Sequence, residues 1–428
     1  MLLFASALQV FAAESTVYSH GNPTAEEQYM LELINRARAD PEAEGRFLSN
    51  LKDPDIKFAI DFFNVDRVRL KSDFASYARR PPLAFNAKLL ASSRRHSKDM
   101  AENNFQDHIG SDGSTIGDRV GDAGYSASAF SESIYSNLVS TALFAHAGLN
   151  IDWGVGDGGV QPGVGHRRSI MGFGSTDYRE IGISIVSRSG ADAEEFGKLS
   201  VTQDFANRFD SPNFFVGVAY YDVNANGICD PGEGLPGIKV KPYTGSWHAV
   251  TSASGGYAIP LPEVPEANGV TFSGGGLKSP VSKILFLAGD NVKLDLRITS
   301  GGPFVALKPL DKIANESGGT ARFRITRVGP ITGELKVFLT SPTLGGIGNG
   351  LPQDYRLSAV SPALVKENKT FPGRFAVTIP ANRASAEIKL TALPDKLTEP
   401  MEGVGFIIDE SKNYRTDSPQ SVIISIKP

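Results

Sequence analysis

Residues 105–114 read Phe-Gln-Asp-His-Ile-Gly-Ser-Asp-Gly-Ser, a polar stretch with two glycines around a single histidine. Two further short stretches follow it in the sequence, Ser131-Glu-Ser-Ile134 and Gly165-His-Arg-Arg-Ser-Ile-Met171. The side chains of interest within the three stretches are His108, Glu132 and His166. Neutral imidazole and carboxylate are both ligands that zinc accepts. Because these side chains lie far apart in the chain, only the fold can bring them together.

The sequence around these stretches alternates between helical and strand-like patterns. Thr24-Ala-Glu-Glu27 predicts the start of a helix, because a Thr hydroxyl and a Glu carboxylate at this spacing can accept hydrogen bonds from free amide groups. A second helix is predicted from Asn86 to Asn104, with apolar residues on one face. Residues 180–186 and 199–205 alternate apolar and polar side chains, as strands do. This part of the chain therefore predicts a mixed α/β domain.

The order of these stretches resembles the CAP superfamily, which comprises cysteine-rich secretory proteins, venom antigen-5 proteins, plant pathogenesis-related proteins and bacterial SCP-like proteins. The resemblance covers residues from about 24 to 208 and includes Gln203-Asp-Phe205. It implies an α/β/α sandwich with a central cleft lined by two histidines and two glutamates. His108, Glu132 and His166 fall on the two histidines and the first glutamate, so the resemblance implies a site for zinc or another divalent cation.

The sequence departs from the family pattern at the second glutamate. No Glu lies between Glu132 and His166, the interval in which the family places it. His146 or Asp152 could occupy the nearby space. Residues 51–80 are longer than the usual linker and could cover part of the cleft. The alternative interpretation is that the two histidines are buried, hydrogen-bonded residues that lock loops and hold no ligand.

From about residue 213 the sequence changes to short strand-like segments separated by glycine and proline, which predicts an all-β sandwich over residues 213–299. Its first loop, Asp222–Glu233, has the ligand spacing of an EF-hand, with a glycine at the sharp bend. Ca²⁺ takes about six to eight oxygens, and a Glu at the end of such a loop chelates with both of its own. The predicted calcium ligands are the side chains of Asp222, Asn224, Asn226, Asp230 and Glu233 and the backbone carbonyl of Ile228.

The loop is flanked by strand-like sequences rather than by helices. Val218-Ala-Tyr-Tyr221 precedes it and Gly237-Ile-Lys-Val240 follows it. This context resembles the SdrD-type B repeats of bacterial surface adhesins. The resemblance implies a structural calcium ion that orders the loop and stiffens the sandwich.

Residues 303–428 predict a second all-β sandwich, because segments such as residues 321–326 alternate apolar and polar side chains. The motif order here, ending with Asp395-Lys-Leu-Thr-Glu-Pro-Met-Glu402, resembles Calx-beta domains. The resemblance implies a calcium site at one end of the sandwich. Its ligands would be Glu316, Asp354, Asp395 and Glu399. An acidic residue commonly precedes the position of Asp395 in the family, whereas this chain has Pro394, which weakens or empties the site.

The composition is typical of a globular protein, with 428 residues of which 41% are hydrophobic and 21% charged. The net charge of −4 and the lack of a Lys/Arg run argue against a nucleic acid partner. Residues 1–13 contain an apolar stretch that predicts an export signal and is too short for a membrane span, and no transmembrane segment is predicted. The single cysteine, Cys229, cannot form an intramolecular disulfide. We therefore expect a secreted or cell-surface protein of bacterial type.

These observations favour a binding or adhesion protein. Its cleft would engage a small ligand, a metal or a partner, and its β-modules would contact a surface or matrix. A metal-assisted hydrolase that uses the same cleft is the alternative. The sequence leans away from an enzyme, because it has neither a Gly-x-Ser-x-Gly nor a His-Glu-x-x-His motif. A purely structural surface protein is the third interpretation.

Overall fold

The computed structural model describes residues 15–428 with gaps. The gaps are residues 138, 140, 175, 189–196, 225, 262–266, 278, 287–288, 299–301, 330, 342–353, 361, 370–372, 395–400, 410, 412, 417–418 and 420. The predicted export signal and two predicted calcium ligands, Asp395 and Glu399, lie outside the described residues. We call residues 24–208 the first lobe, residues 213–299 the second lobe and residues 303–428 the third lobe.

The first lobe combines helices with one small sheet. Its described helices are α1 (Ala25–Ala39), α2 (Pro41–Ser49), α3 (Pro54–Phe62), α4 (Arg67–Ser76), α5 (Ala87–Asn103), α6 (Ile116–Asp122), α7 (Ala142–Ile151) and α8 (Gly165–Met171). The first five strands of the chain are β1 (Thr16–Val17), β2 (Ala84–Phe85), β3 (Ala127–Asn137), β4 (Glu180–Ser187) and β5 (Leu199–Arg208). The sheet of the first lobe has the order β2-β4-β5-β3.

Helices cover both faces of this sheet, as the predicted α/β/α sandwich requires. Along β5, Val201 and Phe205 face a large core that includes residues of α1 and α7. The even-numbered residues of β5 point the other way: Thr202 accepts a hydrogen bond from Ser97 of α5 at 2.8 Å, and Ala206 packs near the start of α5. Because successive side chains of β5 point to opposite faces of the sheet, their contacts show which helices cover each face.

The helix starts follow the sequence signals. Thr24 caps α1, and the reciprocal bonds of the capping box are both present, with Glu27 N 3.2 Å from Thr24 Oγ1 and Thr24 N 2.8 Å from Glu27 Oε2. Helix α5 spans Ala87–Asn103, in agreement with the prediction. Asn104 ends it in the left-handed region at φ 55°, which Asn tolerates better than most residues.

The second lobe is a sandwich of two sheets. Its strands are β6 (Phe214–Tyr221), β7 (Ile238–Pro242), β8 (Trp247–Val250), β9 (Gly256–Pro260), β10 (Ala267–Gly274), β11 (Val281–Phe286), β12 (Val292–Lys293) and β13 (Leu296–Ile298). One sheet has the order β1-β8-β7-β10-β11, and the other joins β12, β6 and β13, with β9 also on β6. The sequence pattern did not predict β10, nor that β1, from the segment before the first lobe, pairs with β8 of the second.

The third lobe is also a two-sheet sandwich. Its strands are β14 (Phe304–Pro309), β15 (Ile313–Asn315), β16 (Thr320–Val328), β17 (Leu335–Thr340), β18 (Tyr355–Ala359), β19 (Leu364–Glu367), β20 (Arg374–Ile379), β21 (Ser385–Ala392), β22 (Glu402–Ile408), β23 (Arg415–Thr416) and β24 (Ser421–Lys427). The sheets have the orders β18-β21-β16-β14-β23 and β15-β24-β22-β17-β20-β19. The fold class predicted from the sequence, one α/β domain followed by all-β sandwiches, is confirmed.

The first and second lobes share polar contacts. Asn291 Nδ2 donates to the carbonyl oxygens of Pro82 and Arg179, each at 2.9 Å. Lys293 Nζ lies 2.8 Å from Glu32 Oε2, which is largely buried on α1. Within the described part of the chain, none of the helices combines the length and the apolar character that a bilayer crossing demands.

Candidate functional site

Glu132 organises the first half of the site. It lies on β3, and its side chain is only 2% exposed. His108 Nδ1 lies 2.8 Å from Glu132 Oε1, and Arg119 Nη2 donates to Glu132 Oε2 at 2.6 Å. The His108 side chain is 55% exposed. Because the carboxylate holds the ring through Nδ1, the Nε2 edge is the one that a ligand can approach.

Arg119 fixes the loop that carries His108. It is buried on α6 and donates to the carbonyl oxygens of Ser114, at 2.7 Å, and His108, at 3.2 Å. Helix α6 itself starts at a capping box formed by Thr115 and Asp118. Residues 105–114 are therefore the loop between α5 and α6, and a single guanidinium ties this loop to the carboxylate on β3.

The charges of the group follow from these contacts. Burial by itself would raise the pKa of Glu132, but the hydrogen bond from His108 and the positive charge of Arg119 lower it. The same hydrogen bond raises the pKa of His108. The buried carboxylate is therefore held as an anion, and the exposed imidazole keeps its proton to a higher pH than usual.

His166 has its own carboxylate, Asp152. His166 Nδ1 lies 2.8 Å from Asp152 Oδ1, and the backbone amide of His166 donates to Asp152 Oδ2 at 3.1 Å. Asp152 is fully buried and ends α7 in the left-handed region at φ 57°, while the ring of His166 stays partly exposed on α8. Asp152 was one of two sequence candidates for the position of the missing glutamate, and it proves to be the partner of His166.

The other candidate, His146, is committed elsewhere. Its Nε2 lies 2.8 Å from Glu44 Oε1, and both side chains are fully buried between α7 and α2. Burial by itself would raise the pKa of Glu44, but the hydrogen bond from His146 and the charges around it lower the value. The pair stabilises the packing of two helices and is closed to solvent.

A serine pair connects the elements that carry the two exposed histidines. Ser131, next to Glu132 on β3, places its Oγ 2.8 Å from Oγ of Ser169 on α8. Ser169 follows His166 by three residues, which is about 4.5 Å along a helix axis. Glu132 is engaged with His108 and Arg119 rather than presented as a third ligand. Among the described residues, no three His, Cys, Asp or Glu side chains are grouped so as to hold one metal ion. We call His108, Glu132, Arg119, His166 and Asp152 the histidine site.

Sequence reasoning missed three buried residues around Glu132. One is Arg119. The second is His96, whose Nε2 lies 2.9 Å from the carbonyl oxygen of Asp107 and 3.9 Å from Glu132. The third is Asp204, which faces Glu132 across the β3–β5 ladder. Burial, and then the charge of Glu132, raise the pKa of Asp204 well above its usual range. The alternation through Gln203-Asp-Phe205 was the signal that could have placed Asp204 on this face.

The predicted calcium loop of the second lobe is ordered by its own hydrogen bonds. Asp230 Oδ2 accepts from the side-chain amides of Asn224 and Asn226, at 2.7 and 2.8 Å. Glu233 accepts from the backbone amides of Val223 and Asp230, at 2.9 and 3.0 Å. The glycine at the bend, residue 227, has φ 81°, as the sharp turn requires. These hydrogen bonds join Asn224, Asn226 and Glu233 to Asp230.

Only part of the third predicted site lies among the described residues. Leu393 N donates to the carbonyl oxygen of Asp354 at 2.8 Å, and Ala392 N donates to that of Gly319 at 3.0 Å. These bonds bring the loop that starts at Glu316, residue 354 and the end of β21 to the same end of the sandwich.

The geometry thus defines a class of protein: an α/β/α sandwich with two carboxylate-held imidazoles, followed by β-sandwiches. Comparison with protein families gives the first lobe its family. Residues 31–227 match the model of the CAP family, described as the cysteine-rich secretory protein family, so the chain contains a CAP domain. The match extends past the end of β5 into the loop of the second lobe. No curated protein matches the sequence.

Several solved structures are similar to parts of the chain. An extracellular protein containing an SCP domain from Bacillus anthracis is 20% identical, with coverage of 37% of this chain and 45% of that one and a TM-score of 0.23. The apo form of the Calx CBD1 domain is 15% identical, with coverage of 29% and 96% and a TM-score of 0.20. The human F-spondin reeler domain is 12% identical, with coverage of 30% and 92% and a TM-score of 0.20.

Proposed function

We propose that this chain is an extracellular binding protein. Its CAP domain binds a divalent cation, or a small ligand through that cation, at His108 and His166. Its two β lobes act as calcium-stabilised spacers that contact a surface or matrix. The observation that carries the proposal is that both exposed imidazoles are held through Nδ1 by a buried carboxylate.

The way in which the two imidazoles of the histidine site are held supports zinc or a similar cation. Histidines that bind metals usually donate their second ring N–H to a carboxylate or carbonyl, which fixes the ring and makes it a better ligand. His108 and His166 have this arrangement with Glu132 and Asp152. When bound, a cation supplies a Lewis-acidic centre with open positions for an outside ligand. The protein's own residues orient the two rings, and His108 and Arg119 lower the pKa of Glu132.

The proposed extracellular location and the proposed stabilisation of the β lobes by calcium rest on other features of the chain. The CAP match is to a family described as secretory, which supports export. The oxygen-rich loop at the start of the second lobe and the acidic end of the third lobe support calcium. Neither lobe contains a disulfide that could stiffen it, since the chain has one cysteine. Bound Ca²⁺ would supply that stiffness.

Zinc binding to the purified full chain tests the central proposal. Isothermal titration with Zn²⁺ should give one site per chain, and His108→Ala and His166→Ala should each weaken its Kd by about tenfold or more. His248→Gln, in the second lobe, is the matched control and should leave the Kd unchanged. Equal zinc affinity in all four proteins would remove the histidine site from the proposal and favour the purely structural interpretation.

Metal-assisted hydrolysis is the second candidate, because a carboxylate-held imidazole is also the arrangement of a general base. His166 and Asp152 have that geometry. Release of product from an ester or peptide substrate by the zinc-loaded protein, lost in His166→Ala, would favour this candidate. Ligand retention without product release would favour binding.

A further inference from the structure

Strand β13 places the positively charged Arg297 next to the predicted calcium loop. It runs parallel to β6, with Arg297 opposite Tyr220 and Ile298 opposite Tyr221. The loop begins at the next residue, and Asp222 N donates to the carbonyl oxygen of Ile298 at 2.9 Å. The register of the two strands therefore places Arg297 beside the first ligand of the loop.

Arg297 makes a close ion pair with that ligand. Its Nε and Nη2 each lie 2.6 Å from Asp222 Oδ2. The side chain of Asp222 is fully buried, whereas the side chain of Arg297 is 41% exposed. The same oxygen accepts from Gly227 N at 2.9 Å, and Oδ1 accepts from Asn226 N at 3.1 Å. The first carboxylate of the loop is thus fully hydrogen-bonded and neutralised by the protein itself.

The guanidinium competes with calcium for the negative charge of Asp222. Ca²⁺ needs an oxygen at about 2.3–2.6 Å and repels a second cation beside it, so a guanidinium 2.6 Å from Oδ2 opposes a calcium ion at either oxygen of the same carboxylate. The other carboxylates of the loop, Asp230 and Glu233, are held by uncharged amide donors. In the described contacts, Arg297 is the cation that neutralises this ligand set.

We propose that Arg297 is the resident counter-ion of the loop and that Ca²⁺ binds by displacing its guanidinium from Asp222. This inference rests on the calcium role proposed above and names the residue that sets the affinity of that site. Arg297 keeps the loop folded in the absence of calcium and weakens calcium binding by the free energy of breaking the ion pair. Because the guanidinium is partly exposed, it can swing into water once displaced.

Calcium titration of the full chain tests this inference. Arg297→Gln, which keeps a polar side chain and removes the charge, should tighten the Kd for Ca²⁺ by about tenfold. Arg297→Lys retains a positive charge but loses the two-nitrogen contact with Asp222, so its Kd should fall between those of the wild type and Arg297→Gln. Arg322→Gln is the matched control, because it removes an arginine paired with Asp311 and Glu387 in the third lobe. It should change nothing.

The melting temperature in chelator provides a second measurement. Arg297→Gln should melt below the wild type without calcium and recover with it. An Arg297→Gln protein with the wild-type Kd, or a weaker one, overturns the inference and leaves the calcium proposal intact. If the wild type and both Arg297 variants all fail to bind Ca²⁺, the calcium proposal itself fails. Should Arg297→Gln unfold in chelator, the comparison rests on Arg297→Lys, whose Kd must then be tighter than that of the wild type.

Discussion

The histidine site and the predicted calcium loop compensate a buried negative charge in two different ways. Each holds a buried carboxylate, Glu132 or Asp222, and each neutralises it with a positively charged side chain. In the first lobe the permanent charge, Arg119, is buried, and the exposed partner is an imidazole. In the second lobe the exposed partner of the carboxylate is Arg297, and its charge is permanent.

If the proposed metal ions bind, this difference decides how each one enters its site. An imidazole becomes a neutral ligand when it loses a proton, so the first site can be opened by pH with no movement of the chain. A guanidinium does not lose its proton in proteins, so the second site must be opened by displacement.

The largest effect should come from removing the buried partner. Arg119→Met leaves the Glu132 carboxylate without its permanent charge in a dry environment, and we expect the free energy of unfolding to fall by about 3–5 kcal/mol. Denaturant titration measures it. Arg69→Met, which breaks an exposed ion pair with Asp157, is the control and should show no measurable change. A loss near that of the control would mean that His108 alone compensates Glu132.

A smaller effect on the free energy of unfolding should come from calcium binding at the loop of residues 222–233. Addition of Ca²⁺ at about 100 times its Kd should stabilise the wild type by about 2.7 kcal/mol, because the ion binds the folded loop and not the unfolded chain. Asp222→Asn keeps an oxygen that can accept from Gly227 but removes the charge that attracts calcium, so most of this stabilisation should disappear. Thermal melting with calcium and with chelator gives the comparison. Glu334→Gln, an exposed acid outside the loop, should retain the full effect.

The sequence predicted local elements better than the contacts between them. The capping box at Thr24 and the helix from residue 87 were predicted, because their signals lie within a few neighbouring residues. The predicted strands of the first-lobe sheet and the loop at residues 222–233 also have their signals within a few neighbouring residues. The pairing of β1 with β8 joins residues more than 200 positions apart, and no local pattern reports it.

The partners of the site residues were the harder part. His108, Glu132 and His166 were named from short motifs, but the roles of Arg119 and Arg297 depend on which strand or helix passes nearby. Arginine is common on protein surfaces, so its sequence context does not distinguish a buried counter-ion from a solvated side chain. From the sequence, Asp152 was only one of two candidates for the space of the missing glutamate. Its pairing with His166 depends on the left-handed conformation at the end of α7, which sets the direction of its side chain.

The smallest effect is a shift in the titration of His108. The hydrogen bond from its ring to Glu132 raises its pKa above the value of about 6.5 found in unfolded chains. The stability from this pair is therefore fully present below about pH 6.5 and is lost as the pH rises through the folded pKa. Glu132→Gln should lower the pKa of His108 and flatten this decline, because burial and the charge of Arg119 then act on the ring with only the charge of Asp107 to oppose them. Ring signals of His108 followed by NMR across pH measure the shift. Asp152→Asn, which alters the other histidine, should leave the titration of His108 unchanged; a His108 pKa that stays raised in Glu132→Gln would show that another group holds the proton.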